Sequence, residues 1–332
     1  MIYEQAPQLL EIGAGINVQA VAIGVLDRLG ISEAMLADPV LGDGILTSKI
    51  EYFTPDGILI ADEPVGRAKG DEYPQFSTHR AKFHNTLIAK AKEMLGEENI
   101  CLDHSFSGMD RAEDGKITVH FEKTSCRDEK LPSAVCDFLV GADGLKSRVR
   151  SCLLGDGLPK YTGKTIYRGL CEIDALMGDG CTVELCGNEH GAFICYPISD
   201  CMKRAGKTHC NWGFNVSRPE PGGIESWTSQ SNVSDIEEEL AALGHNTFGG
   251  LTPLQMAQRS DKILAWALFD RDPLESFDFG TVTLLGDAAH PLLPYGSQGA
   301  TQAIMDAEAL GKAYHLAFAD GTGVRGAVRM YS

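Results

Sequence analysis

Leu284-Leu285-Gly286-Asp287-Ala288-Ala289-His290-Pro291, followed closely by Tyr295-Gly296-Ser297-Gln298-Gly299-Ala300-Thr301-Gln302, decides how this 332-residue chain is read. The apolar run Val282 to Leu285 predicts a buried strand. It delivers an acidic side chain, Asp287, at its carboxyl end, where open α/β sheets hold ligands. Gly296 and Gly299 let backbone approach a flat ligand closely. From Ala300 to Ala313 the residues have helical spacing. The first N–H groups and positive dipole end of such a helix stabilise an electron-rich ring carrying partial negative charge. A strand, loop and helix whose glycines serve packing alone explains fewer of these residues.

Three other stretches belong with the first. Gly141-Ala142-Asp143-Gly144-Leu145-Lys146-Ser147-Arg148-Val149-Arg150 follows a short apolar run at Phe138 to Val140. An Asp-Gly turn is its plainest reading; as a ligand loop, Asp143 accepts hydrogen bonds from backbone or ribose, or orders water. Tyr3-Glu4-Gln5-Ala6-Pro7 ends a first strand, and Gly13-Ala14-Gly15-Ile16-Asn17 follows. Glu4 is acceptor-only and suits two ribose hydroxyls. Tyr73-Pro74-Gln75-Phe76-Ser77-Thr78-His79-Arg80 opens a helix expected over Ala81 to Leu95, with Arg80 a planar multi-donor suited to phosphate. His79 reads as a hydrogen-bonded structural histidine.

Together these motifs resemble the single-component, class A flavoprotein aromatic hydroxylases, and more narrowly the phenazine hydroxylase branch. The resemblance covers nearly the whole chain, including Tyr196-Pro197-Ile198-Ser199 and Asp270-Arg271-Asp272-Pro273-Leu274. It implies an FAD-binding Rossmann-like α/β domain with a second, β-rich substrate domain. It implies FAD as cofactor, NADH or NADPH as co-substrate, and a small aromatic substrate hydroxylated with O2 through a flavin C4a-hydroperoxide. By the same resemblance Glu4 receives the adenosine ribose, Arg80, Asp143 and Gly144 serve the pyrophosphate and ribityl region, and Gly286 and Asp287 bind the ribityl chain. Pro294, Gly296, Gly299 and Ala300 lie beside the isoalloxazine, which Gly15 approaches from its other side. No side chain need bond covalently to substrate, and substrate contacts are expected near Tyr196.

One departure matters. The dinucleotide fingerprint of such folds lies about 20 residues ahead of the ribose-binding acid, and here Met1, Ile2 and Tyr3 precede Glu4. The turn at Gly13 does not replace it, because Val18 stands where a third glycine is needed. The expectation is a chain truncated at both ends, lacking its first βα unit. The alternative function is then an inactive flavoprotein fragment with weak or no FAD binding.

The cofactor domain is expected over residues 1–160 and 271–332 and the β-rich domain over 161–270. Strands are expected at Ile117 to Lys123, Gly191 to Ile198 and His209 to Val216, and helices at Val18 to Leu29 and from Ser234, as N-cap, to Leu243. A net charge of -17 disfavours nucleic acid as a partner. Nothing approaches the ~18 consecutive apolar residues of a membrane helix, and Glu4 and Glu11 interrupt any leader-like start. A cytoplasmic monomer or homodimer with reduced thiols is expected. Cys171, Cys181, Cys186, Cys195, Cys201 and Cys210 cluster with His190 and His209, yet without the tight ligand pairs of zinc sites, so no metal is expected. Gly163-Lys164-Thr165 lacks the upstream glycine of a phosphate loop, Leu158 standing there, and no GxSxG occurs. A nicotinamide-linked dehydrogenase would leave residues 284 to 302 without a purpose.

Overall fold

The computed structural model describes residues 1–9, 14–32, 43–126, 129–223, 229–244 and 246–332. The chain divides into two compact units. One comprises Met1–Leu10, Ile88–Lys160 and Phe269–Ser332, the other Glu11–Leu87 and Tyr161–Leu268.

In the first unit Leu139–Gly141 runs parallel to Val282–Leu284, in register Leu139 to Val282 and Gly141 to Leu284. Ile2–Tyr3 pairs in parallel with Ile100–Cys101. An antiparallel sheet of Ser105–Arg111, Ile117–Glu122 and Lys130–Cys136 completes the strands. The alternation read at Ile117 is real: Ile117, Val119 and Phe121 are buried and join Val149, Val282, Leu284 and Ala288 in one core. Helices Gly299–Ala319 and Gly323–Tyr331 follow the last strand.

The second unit holds an eight-stranded sheet. Its order is Gln230–Ser231, Ile263–Asp270, Lys160–Ile173, Thr208–Ser217, Gly191–Pro197, Thr182–Asn188, Lys49–Phe53 and Leu59–Pro64. A smaller antiparallel sheet joins Gly15–Val18, Gln75–His79 and Ile45–Thr47. Trp212, Phe193, Phe214, Cys195 and Cys210 fill the core on one face of the large sheet, against Leu240 and Met256. The other face carries Val183, Tyr196 and Ile198 with Ile50, Leu170 and Ile194.

This grouping differs from the expected one over residues 11–87. Lys49–Phe53 pairs in parallel with Thr182–Asn188, a long-range ladder that puts this stretch with the β-rich segment. The helix expected from Ser234 is also different. A 3₁₀ turn at Val233–Asp235 precedes a short helix at Glu237–Ala241. The Asp235 carboxylate accepts the Asn232 N–H at 2.9 Å, so the turn begins at Asn232 and Ser234 lies inside it. Val18 ends a strand rather than beginning the helix, which runs Ala20–Arg28.

Candidate functional site

The loops that follow Leu139–Gly141 and Val282–Leu284 leave neighbouring parallel strands at the same end. The Leu285 N–H donates to Gly141 O at 3.0 Å, so the loop carrying Asp143 and the loop carrying Asp287 start side by side. This is where a doubly wound sheet places ligands.

Asp143 organises its own loop. Its carboxylate accepts the Ser147 hydroxyl and the N–H groups of Arg148, at 2.7 Å, and Val149, at 3.1 Å. It therefore caps the helix Arg148–Leu154 together with Ser147. Gly144 adopts φ +77°, which a side chain would strain, and open space lies where its Cβ would be.

Asp287 is exposed at the end of Val282–Leu284. Gly286 turns the chain there with φ +60° and packs near the Cβ of Ala303. Pro294 precedes a 3₁₀ turn, Tyr295–Ser297, in which Gly296 has φ 77°. Gly299 then opens the 21-residue helix Gly299–Ala319, with Ala300 in its first turn. Among the described residues, the N-cap residue Gln298 makes no side-chain cap and no acidic residue stands in the first turn. A Cβ on Gly299 would lie 3.9 Å from Asp287 Oδ1, placing the carboxylate beside the helix start.

Three residues with no role assigned from sequence hold these loops in place. Asp306 accepts the Gly286 N–H at 2.9 Å and the His290 Nε2 at 2.7 Å through one oxygen. That bond, more than burial opposes it, raises the His290 pKa, with Asp287 adding a smaller push the same way. Arg150, 2% exposed, donates to the carbonyls of Ala288, Ala289 and Asp272 and pairs with Asp156 at 2.6 Å. Arg271 donates to Leu145 O and Gly157 O and meets the same Asp156 at 3.0 Å. The decapeptide and the Asp-Arg-Asp-Pro run carried the signal for both arginines.

Glu4 follows Ile2–Tyr3, its N–H bonded to Cys101 O and its Oε1 accepting the Ala6 N–H at 2.7 Å. Gly15 and Arg80 lie in the second unit and are brought together there, since Gly15 pairs with His79 and the Arg80 N–H donates to Ala14 O. A Cβ on Gly15 would come within 2.7 Å of Asn211 and 2.9 Å of Tyr196, so those side chains are what require glycine here. Gly13 lies outside the described residues. Arg80 is exposed and starts the helix Arg80–Leu95, while His79 Nδ1 accepts the Ala81 N–H, a structural task.

Of the clustered cysteines, Cys195 and Cys210 pack against Met177 at 3.6 and 3.9 Å, fully buried. Burial pushes their thiols up, away from the thiolate a metal needs. Among the described residues no three His, Cys, Asp or Glu side chains are grouped to hold a metal.

The chemistry of the first unit is of a kind that suits FAD: acceptor carboxylates for hydroxyls, open space at the Cβ position of Gly144, and the start of a long helix able to stabilise negative charge. A family model described as FAD binding domain matches residues 13–332. Phenazine 1,6-dicarboxylic acid hydroxylase PhzS of Lysobacter antibioticus is 33% identical over 325 residues, covering 93% of this chain and 74% of that protein. The 3-hydroxybenzoate 6-hydroxylase of Klebsiella oxytoca is 31% identical over 333 residues, covering 98% and 75%. Among solved structures, CtdE in complex with FAD and a substrate shares the fold with TM-score 0.74 at 20% identity, covering 95% of this chain and 74% of that one. The chain thus belongs to the FAD-binding-domain family of class A aromatic hydroxylases and is an FAD-dependent monooxygenase.

Proposed function

We propose that this protein hydroxylates a small aromatic or heteroaromatic molecule, with O2 and NADH or NADPH as co-substrates, as a monomer or homodimer in the cytoplasm. FAD, when bound, supplies hydride acceptance and oxygen activation. The family match over residues 13–332 favours this reading over an inactive fragment. Relatives named for a phenazine dicarboxylic acid and for hydroxybenzoates make rings bearing a carboxylate the first class to test.

The protein's part is to bind, orient and exclude water. We assign Asp287 to the ribityl hydroxyls, with Gly286 giving the turn that presents it. The Pro294 to Ala300 loop, through Gly296 and Gly299, would hold the ring, its backbone N–H groups suited to partial negative charge there. Asp143 and Gly144 shape the neighbouring loop, and Glu4 is assigned to ribose. Arg80, with Gly15 in the second unit, offers a cation suited to phosphate.

The observation that carries the proposal is the exposed Asp287 beside the start of a 21-residue helix. Asp287→Ala is expected to lower the flavin that copurifies with the chain by about tenfold, the worth of a charged hydrogen bond. Unchanged flavin absorbance per protein would overturn the assignment. FAD-dependent NAD(P)H oxidation over a panel of aromatic acids tests the activity itself.

A further inference from the structure

Cys181 and Lys203 meet in the second unit, apart from every residue assigned above. Lys203 Nζ donates to Cys181 Sγ at 2.6 Å, and both side chains are half-buried. Hydrogen bonds from N–H to oxygen span about 2.7–3.2 Å. Sulfur is the larger atom, so this separation is short for a hydrogen bond alone. It is the span of one oxygen atom bonded to both nitrogen and sulfur.

The surrounding chain fixes both partners. The Cys181 N–H donates to Asp179 Oδ1 at 2.8 Å, and Cys181 O accepts the Ser48 N–H at 3.0 Å. Lys203 lies in the short helix Asp200–Arg204, whose start is capped by the Ser199 hydroxyl, which in turn donates to Asp43. Gly180, at φ +74°, makes the approach possible. A Cβ there would stand 3.1 Å from Lys203 Cγ and 3.2 Å from its Cδ and Cε, so the lysine stem lies flat against the turn and reaches the next residue's sulfur. Oxidation acts on accessible thiols held beside a cation rather than on buried ones. Cys181 meets both conditions, whereas Cys195 and Cys210 are fully buried. An O2-activating flavin releases hydrogen peroxide when oxygen transfer to the ring fails, so the oxidant arises in the protein's own reaction.

We propose that Cys181 and Lys203 are a modification site, joined by peroxide through an S–O–N bridge that clamps the turn before Thr182–Asn188 to the helix Asp200–Arg204. The Cys181 thiol breaks the O–O bond of one peroxide, giving a sulfenic acid and water. The Lys203 amine, in its neutral form, does the same with a second peroxide, giving a hydroxylamine and water. The two hydroxyl groups condense, forming the bridge and releasing a third water. Sulfur and nitrogen each lose two electrons, one pair to each peroxide. The bridge joins residues 22 apart in sequence and so restricts the unfolded chain.

The test is to treat the purified 332-residue chain with dilute hydrogen peroxide, digest it with trypsin and weigh the peptides. No Lys or Arg lies between Arg168 and Lys203, so both partners fall in one peptide. That peptide is expected to gain one oxygen and lose two hydrogens, to resist cleavage at Lys203, and to lose the gain in dithiothreitol. Cys181→Ser and Lys203→Arg, the second of which keeps the charge, are each expected to abolish this reversible gain, so either variant suffices should the other not fold. Whole oxygens alone on the wild-type peptide overturn the proposal. So does a loss of two hydrogens without oxygen, as in a disulfide or sulfenamide, or the same gain in either variant. The bridged chain is also expected to melt about 5 °C or more above the same sample after dithiothreitol, and equal melting overturns the clamp. Peroxide is added directly, so the result stands apart from substrate and turnover.

Discussion

Asp306 shows how one side chain carries a loop. Its single oxygen holds both the Gly286 N–H and the His290 ring, bridging the helix Gly299–Ala319 to the loop that presents Asp287. Asp306→Ala leaves a buried N–H unsatisfied and is expected to cost about 1–3 kcal/mol, read by urea unfolding. The sign with pH follows from His290, whose folded pKa lies above its ordinary value. The stabilisation it contributes is full below about 6.5 and is lost as pH rises through the raised value. The gap between wild type and D306A should narrow in alkaline buffer; a gap that widens would sink the assignment. None of this was readable locally, because Asp306 and Gly286 are 20 residues apart.

At the scale of elements, glycines divide by what their missing Cβ would meet. Gly15→Ala is expected to destabilise by about 1–3 kcal/mol, since the new methyl overlaps Asn211 and Tyr196. Gly311→Ala, in the exposed interior of Gly299–Ala319 with nothing within 4 Å, should instead stabilise by about 0.5–1 kcal/mol. Thermal melts of both variants check the contrast, and equal shifts would refute it. The strand Thr182–Asn188 carries a second test. Glu184, 4% exposed and opposite Glu51, has its carboxyl pushed up to about 7, by burial first and then by Glu51. The native state thus holds an extra proton between the ordinary value, 4.5, and about 7, and stability falls as pH rises through that window. Glu184→Gln should gain about 2–3 kcal/mol near pH 8 and almost nothing near pH 4. A gain independent of pH would exclude the linkage.

Across the whole molecule, the sequence by itself determined the elements around Asp287. Strand, Asp287, glycine loop and helix appear where residues 282 to 313 place them, because periodicity, turn chemistry and helix starts depend on neighbours a few positions away. The family was legible for the same reason: its motifs are short and contiguous. What the tertiary structure alone decided are pairings of distant residues. Arg150 meets Ala289 139 positions away, and Gly15 meets Asn211 196 positions away. Lys49–Phe53 takes its place beside Thr182–Asn188, drawing residues 11–87 into the unit of the large sheet. The physical reason is common to all of them. A buried charge or a bare glycine is defined by what packing brings against it, and packing is chosen by the whole core rather than by adjacent residues.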